Sequence, residues 1–208
     1  MKKGSVIFTV AVAMICVSVF GIFEFVNADN TSSEKLAEST GENLREGAEM
    51  LLNGGVSTQT VDNGKIGEGQ KMIMNINGID ISEGFYKYKL GLMSSIGYEN
   101  PEAATIDLIK KYAVQWKFAE ENGILPSEAE VLAEVKANRD PIYENSDAYD
   151  SMVAFLDGAG ITESEYWDII QTKYEAPYAL VGVKVSDYCK KNNLDEPEWK
   201  DADVKFYE

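Results

Sequence analysis

The chain has 208 residues, 45% of them hydrophobic, enough to bury one core and too few for two. Its formal net charge of -16 makes nucleic acid an unsuitable partner, and an anionic membrane surface likewise, because both would repel it. It contains no histidine, which removes Ser-His-Asp triads, Cys-His dyads and histidine metal sites. The chain therefore reads as not an enzyme, with no catalytic residues, no metal and no cofactor expected.

Lys2 and Lys3 followed by the apolar run Val6 to Phe23 have the charge pattern of an export signal, and Val26-Asn27-Ala28 offers the small residue a signal peptidase requires. The run is also about long enough to span a bilayer, so residues 1–28 read either as a cleaved signal peptide or as a signal anchor. Both readings leave the lysines inside and the rest outside. The expected location is extracytoplasmic, secreted or held on the outer face of the membrane by residues 5–26. Residues 29–70 are rich in Ser, Thr, Gly, Asn and Glu and read as a flexible tether. Within it, Leu36, Leu44, Ala48, Leu51 and Leu52 give an amphipathic helix over 34–52, closed by Asn53-Gly54-Gly55.

Residues 71–191 carry the folded domain. Asn77-Gly78 sits between Ile73, Met74 and Ile76 on one side and Ile79 and Ile81 on the other, the pattern of a tight β-hairpin. Ser82 follows as an N-cap to a helix with Phe85, Tyr88 and Leu92 on one face. Asn100-Pro101-Glu102 starts a long helix with Ile106, Ile109, Ala113 and Trp116 inward, ending at Asn122-Gly123. Ser127 and Glu130 form a capping box for a helix whose buried face is Val131 and Val135 with Leu132 alongside, stopped by Asp140-Pro141.

The next helix, 147–157, presents Tyr149, Met152, Val153 and Leu156, and Gly158 and Gly160 break it. A second capping box, Thr162 with Glu165, opens a stripe of Tyr166, Ile169, Ile170 and Tyr174. Pro177 should kink this helix before Tyr178, Val181, Val185 and Tyr188 resume the face. Residues 192–208 read as a frayed acidic tail, anchored through Trp199 or Phe206. Cys16 lies in the apolar N-terminal segment, so Cys189 reads as an unpaired buried thiol.

The fold class expected is mainly α, a short N-terminal β-hairpin followed by about five helices. The succession NGIDIS, a helix, a long helix ending ENGI, a helix beginning PSEAEV, and GITESEYWDII at the head of the last helix resembles the N-terminal chaperone domain of the SurA and PrsA family of extracytoplasmic folding factors. The likeness covers about Met72 to Lys191 and rests on caps and turns, with no catalytic signature. It implies a domain that shields apolar segments of unfolded or exported polypeptides. In that family a parvulin prolyl isomerase domain is inserted before a final helix that returns to complete the core. Only 17 residues follow Lys191 and no histidine is present, so isomerase activity is not implied here.

A helical domain short of one helix would expose an apolar groove. Its fillers would be the 34–52 segment, the tail around Trp199, or a second copy of the chain by self-association, and docking of 34–52 is the one expected. The residues expected to bind peptide are Phe85, Tyr88, Met93, Tyr149, Met152, Phe155, Tyr166 and Trp167, since methionine and aromatic side chains accept varied apolar partners. Stripes at helical spacing normally face a core, and Phe155 and Trp167, off the main stripes, are the two expected at the surface. Two other readings stand beside a chaperone: an assembly subunit whose groove binds one fixed partner or itself, and a non-catalytic partner of a separate prolyl isomerase. The acidic pairs Glu144, Asp147, Asp150 and Glu163, Glu165 sit at helix starts, where negative charge complements the dipole.

Overall fold

The computed structural model describes residues 30–54, 61–62, 65–66 and 71–208. The expectations about export, cleavage, anchoring and Cys16 lie outside the described residues. Six α-helices dominate: α1 (Asn30–Asn53), α2 (Glu83–Ile96), α3 (Pro101–Glu121), α4 (Glu128–Tyr143), α5 (Ser146–Ala159) and α6 (Ala176–Asn192), with a π-helical segment, Glu165–Glu175, leading into α6. A small sheet has the order β1-β2-β4-β3-β5, from β1 (Val61–Asp62), β2 (Lys65–Ile66), β3 (Met72–Ile76), β4 (Ile79–Ser82) and β5 (Val204–Phe206).

The chain is mainly helical, and the hairpin is not its first element. In the stretch read as a tether with an amphipathic helix over 34–52, the helix runs over 24 residues as α1 and is lodged between α2 and α5. Ser33, Ala37, Gly41, Leu44, Ala48 and Leu51 recur at steps of three and four and are all buried, while Leu36 stays exposed. Glycine makes this approach possible. A Cβ added at Gly47 would overlap the backbone of Tyr88 on α2, and one at Gly91 the carbonyl of Asn43 on α1. On the other side, a Cβ at Gly41 would overlap the carbonyl of Phe155, and one at Gly158 that of Glu38. The two crossings are thus backbone on backbone. Lys87 pairs with Glu46 across the first, and Arg45 Nε donates to the Gly158 carbonyl at 2.9 Å across the second.

The hairpin forms as its sequence dictates. Asn77 and Gly78 both take positive φ, 50° and 90°, and Ile76 faces Ile79 across the turn. Met74, Ile76, Ile79 and Ile81 are buried on one face of the sheet. Ser82 accepts from the Phe85 N–H at 3.2 Å and sends the chain straight into α2. Asn100 accepts from the Ala103 N–H, and Ile124 N–H closes onto the Ala119 carbonyl past Gly123, whose φ is 65°. Both capping boxes are made: Ser127 with Glu130, and Thr162 with Glu165.

Several boundaries differ from expectation. Pro141 does not stop α4, which runs on to Tyr143 without the ladder bond that an N–H at 141 would give, and buried Ile142 holds that last turn down. Leu132 is exposed, and on α3 the inward set is Leu108, Ile109, Tyr112, Ala113 and Trp116, with Ile106 half-buried. The stripe from Tyr166 to Tyr174 is π-helical, and the change to α geometry falls at Ala176-Pro177, where proline has no N–H to give to the ladder. The tail is not frayed. β5 pairs antiparallel with β3, Val204 against Ile76 and Phe206 against Met74, and half-buried Val204 packs on the core while Phe206 is 63% exposed.

The α1 crossings give a sharp test. Gly47→Ala should cost on the order of 3 kcal/mol in urea unfolding, because a methyl group there meets backbone that cannot move aside. Gly182→Ala on α6 meets only the Gln115 side-chain oxygen at 3.5 Å and should raise stability by up to about 1 kcal/mol through helix propensity.

Candidate functional site

Seven of the eight residues expected to bind peptide are buried, and the eighth, Tyr149, is half-buried. Phe155 and Trp167, expected at the surface, are each only 4% exposed. The physical reason is that the helices pack these faces on one another: Phe85 lies against Tyr174 and Tyr178, Trp167 lies against Tyr166, and α1 seats on the backbone of α2 at Tyr88 and of α5 at Phe155. The structure does bring some of them together. Phe155 meets Tyr166 edge-on with centroids 5.4 Å apart, and Tyr166 meets Trp167 in the same way at 4.9 Å. Phe85 and Tyr88 belong to a second group around α2, while Met93 and Met152 fill core positions on α2 and α5.

The second group surrounds a charge. Lys89 has no exposed side-chain surface, and its Nζ donates to Glu175 Oε1 at 2.7 Å and to the Tyr174 carbonyl at 3.4 Å. The ammonium also lies 5.3 Å from the ring centres of Phe85 and Tyr88 and 5.5 Å from that of Tyr112. Tyr178 completes the box, stacked on Tyr112 at 4.8 Å and tilted against Phe85 and Trp116 at 5.4 Å. Burial pulls the Lys89 ammonium below the usual lysine range, with the Glu175 carboxylate working against that pull. Burial pushes the Tyr112 and Tyr178 phenols well above theirs.

Neither Lys89 nor Glu175 was singled out from the sequence, yet the signal was present. Phe85, Tyr88, Lys89 and Leu92 stand at the spacing of one helix face, and Gln171, Tyr174, Glu175 and Tyr178 repeat it. A charge on an apolar stripe marks a buried ion pair. The pair is sealed under aromatic rings and joins α2 to the end of the π-helical segment. Glu175 Oε2 and the Tyr178 hydroxyl are buried with no hydrogen-bond partner among the described residues.

A smaller polar cluster lies nearer the surface. The Glu163 carboxylate accepts from the hydroxyls of Tyr143 and Tyr149, at 2.5 and 2.7 Å, and the two rings sit 5.4 Å apart. Those two hydroxyls hold the Glu163 carboxyl below its usual range, and burial with the Glu163 charge pushes Tyr143 up to about 12. The cluster ties α4, α5 and the start of the π-helical segment together. Cys189 is a free, buried thiol whose pKa burial raises. Among the described residues no group of Cys, Asp and Glu is arranged to hold a metal ion, and no helix is long and apolar enough to cross a membrane.

The fold and its interior define a mainly helical domain with a sealed aromatic core and one buried ion pair. No family model matches the chain, and neither curated proteins nor solved structures give a match.

Two predictions follow from the charged groups. Lys89→Met should cost about 3–5 kcal/mol in equilibrium unfolding, because it strands the Glu175 carboxylate in the core, and adding Glu175→Gln should recover much of that loss. At the surface, Lys184 at 2.6 Å and then the Ser127 cap hold the Glu130 carboxyl down at about 2, against its usual 4.5. A carboxyl so lowered contributes stability that is complete above pH 4.5 and is lost as pH falls towards 2. Thermal midpoints of Glu130→Gln should therefore fall less steeply than wild type across that window, with a residual slope from Asp140, Glu163 and Glu165, which are lowered in the same sense.

Proposed function

We propose that this chain is a non-enzymatic, extracytoplasmic binding domain that holds segments of unfolded or exported polypeptides, delivered to the outer side of a membrane by its N-terminal apolar segment. The observation that carries the reading is the order of local devices: an Asn-Gly hairpin feeding a Ser-capped helix, a long helix closed at ENGI, a boxed helix at PSEAE, and a boxed GITESEY start to the last helix. That order resembles the chaperone domain of SurA and PrsA type factors. In this reading α1, arriving from the N-terminal side, supplies the helix that those factors bring back after their isomerase domain. The absence of histidine from the sequence and the enclosure of Lys89 and Glu175 argue for binding without catalysis.

Burial of the aromatic stripe favours a second reading, an assembly subunit with one fixed partner, because a closed core leaves no broad adaptable surface for many clients. Light scattering of chemically reduced insulin and of heat-unfolded citrate synthase separates the two. A holding domain suppresses aggregation of both at near-stoichiometric ratios. An assembly subunit suppresses neither and instead retains one stoichiometric partner from its own envelope.

A further inference from the structure

The sheet ends at β5, and the outer side of that strand pairs with no described strand. The ladder fixes which groups point outward. Asn77 N–H donates to the Asp203 carbonyl and Tyr207 N–H donates to the Ile73 carbonyl, so the odd-numbered residues turn their backbone groups towards β3. In an antiparallel pair the residues between them face the other way, which turns the N–H and C=O of Val204 and Phe206 to the free edge. Side chains alternate likewise. Val204 and Phe206 share the face of Ile76 and Met74, the core side of the sheet, whereas Lys205 and Tyr207 stand on the polar side, where Tyr207 donates to Asp80.

Phe206 is thus an apolar residue on the core face of the sheet, placed where the helices no longer cover it and 63% exposed. Soluble proteins blunt such edges with a lysine, a proline or a bulge. The lysine here is Lys205, and it is paired with Asp203 at 3.2 Å. The segment that carries the strand is acidic on balance: from Asp195 to Glu208 the sequence has six carboxylate side chains and two lysines, and Lys110 and Lys117 reach the Lys200 and Asn77 carbonyls beside it.

We propose that the free edge of β5 is a docking site for an extended polypeptide segment that adds a strand beside Val204–Phe206, with apolar side chains on the Phe206 face and lysine or arginine at its flanks. Main-chain hydrogen bonds supply affinity without regard to sequence, the exposed ring selects apolar residues on one face, and the acidic surround selects basic ones beside them. A second copy of this chain is the poorer occupant, since it brings the same acidic strip and a net charge of -16 against an equal charge. The nature of the partner rests on the binding-domain reading above, while the edge itself rests on the ladder.

The probe is a fluorescein-labelled peptide of alternating valine and lysine, titrated by anisotropy against the full chain in mild detergent. The comparison peptides are a valine-glutamate counterpart and a valine-lysine peptide N-methylated at alternate residues. The valine-lysine peptide binds, and each comparison peptide binds at least about tenfold more weakly. Phe206→Pro removes an outward N–H and the exposed ring while sparing the ladder to β3, and it lowers affinity for the first peptide by a similar factor. Phe206→Thr keeps the N–H and the strand, loses only the ring, and falls between the two, so it serves if the proline variant fails to fold.

Equal binding of the valine-glutamate peptide, or binding indifferent to both Phe206 variants, overturns the proposal, as does no binding at all. A dimer in sedimentation that Phe206→Thr dissolves also overturns it, in favour of a second copy. Aggregation suppressed equally by wild type and Phe206→Thr sinks the edge site and leaves the holding function standing. Peptide binding sensitive to Phe206 without any suppression supports the edge site and sinks the holding function.

Discussion

The structure depends on how closely α1 approaches its neighbours. Helices packed through ordinary side chains keep their axes about 8–10 Å apart, with layers of side chains between them. At α1 the glycines remove that layer twice, Gly47 and Gly91 on the α2 side and Gly41 and Gly158 on the α5 side, each placed against backbone of the opposing helix. Contacts of this kind bring Cα hydrogens towards carbonyl oxygens, a weak attraction that works only at short range. They also make the seat selective, because a helix without glycine at these steps would stand off and leave voids along Leu44, Ala48 and Leu51. α1 is therefore built into the core, although nothing larger than a leucine projects from its buried face.

Lys89 is enclosed by α2, α3 and the π-helical segment. An ammonium with no exposed surface must be compensated where it stands, and here one carboxylate oxygen, one carbonyl and the faces of three rings share the task. Glu175 reaches it from the last residue of the π-helical segment. A π-helix takes more residues per turn than an α-helix, so the segment presents Tyr174 and Glu175 at a different angle from the one an unbroken α-helix would give. The pair thereby fixes the register of the last helix against α2, which the surrounding rings alone, being tolerant of sliding, would leave looser.

The elements most readable in the sequence were those written by short-range rules. Ser82, Asn100, Ser127 with Glu130, Thr162 with Glu165, and Asn77-Gly78 all act within four residues, and each acts as its spacing dictates. What was not legible depends on long-range partners. The seating of Gly41 against Phe155 joins positions more than a hundred residues apart, and nothing local to Gly41 distinguishes it from the loop glycines that follow. The fate of Phe155 and Trp167 is likewise long-range or beyond the α stripe, since both rings are buried against Tyr166 in the packed interior. β5 escaped notice because a three-residue strand has no periodicity to read, and only its pairing with β3 defines it. Lys89 was legible in principle, by its place on the stripe of Phe85 and Leu92, but the pairing with Glu175 needed the fold.

These two constraints direct attention to the rim of the molecule. An interior with glycine-seated helices and a compensated charge gains little by opening, so binding that required the aromatic stripe would first have to part helices packed on one another. A surface bearing net charge of -16 repels most acidic partners from every side. Among the described residues, β5 leaves the main-chain groups of Val204 and Phe206 turned away from the sheet at one of its two edges. Recognition there would demand little of a partner's sequence beyond an extended backbone, and the acidic balance of the segment would then supply discrimination that a closed core cannot.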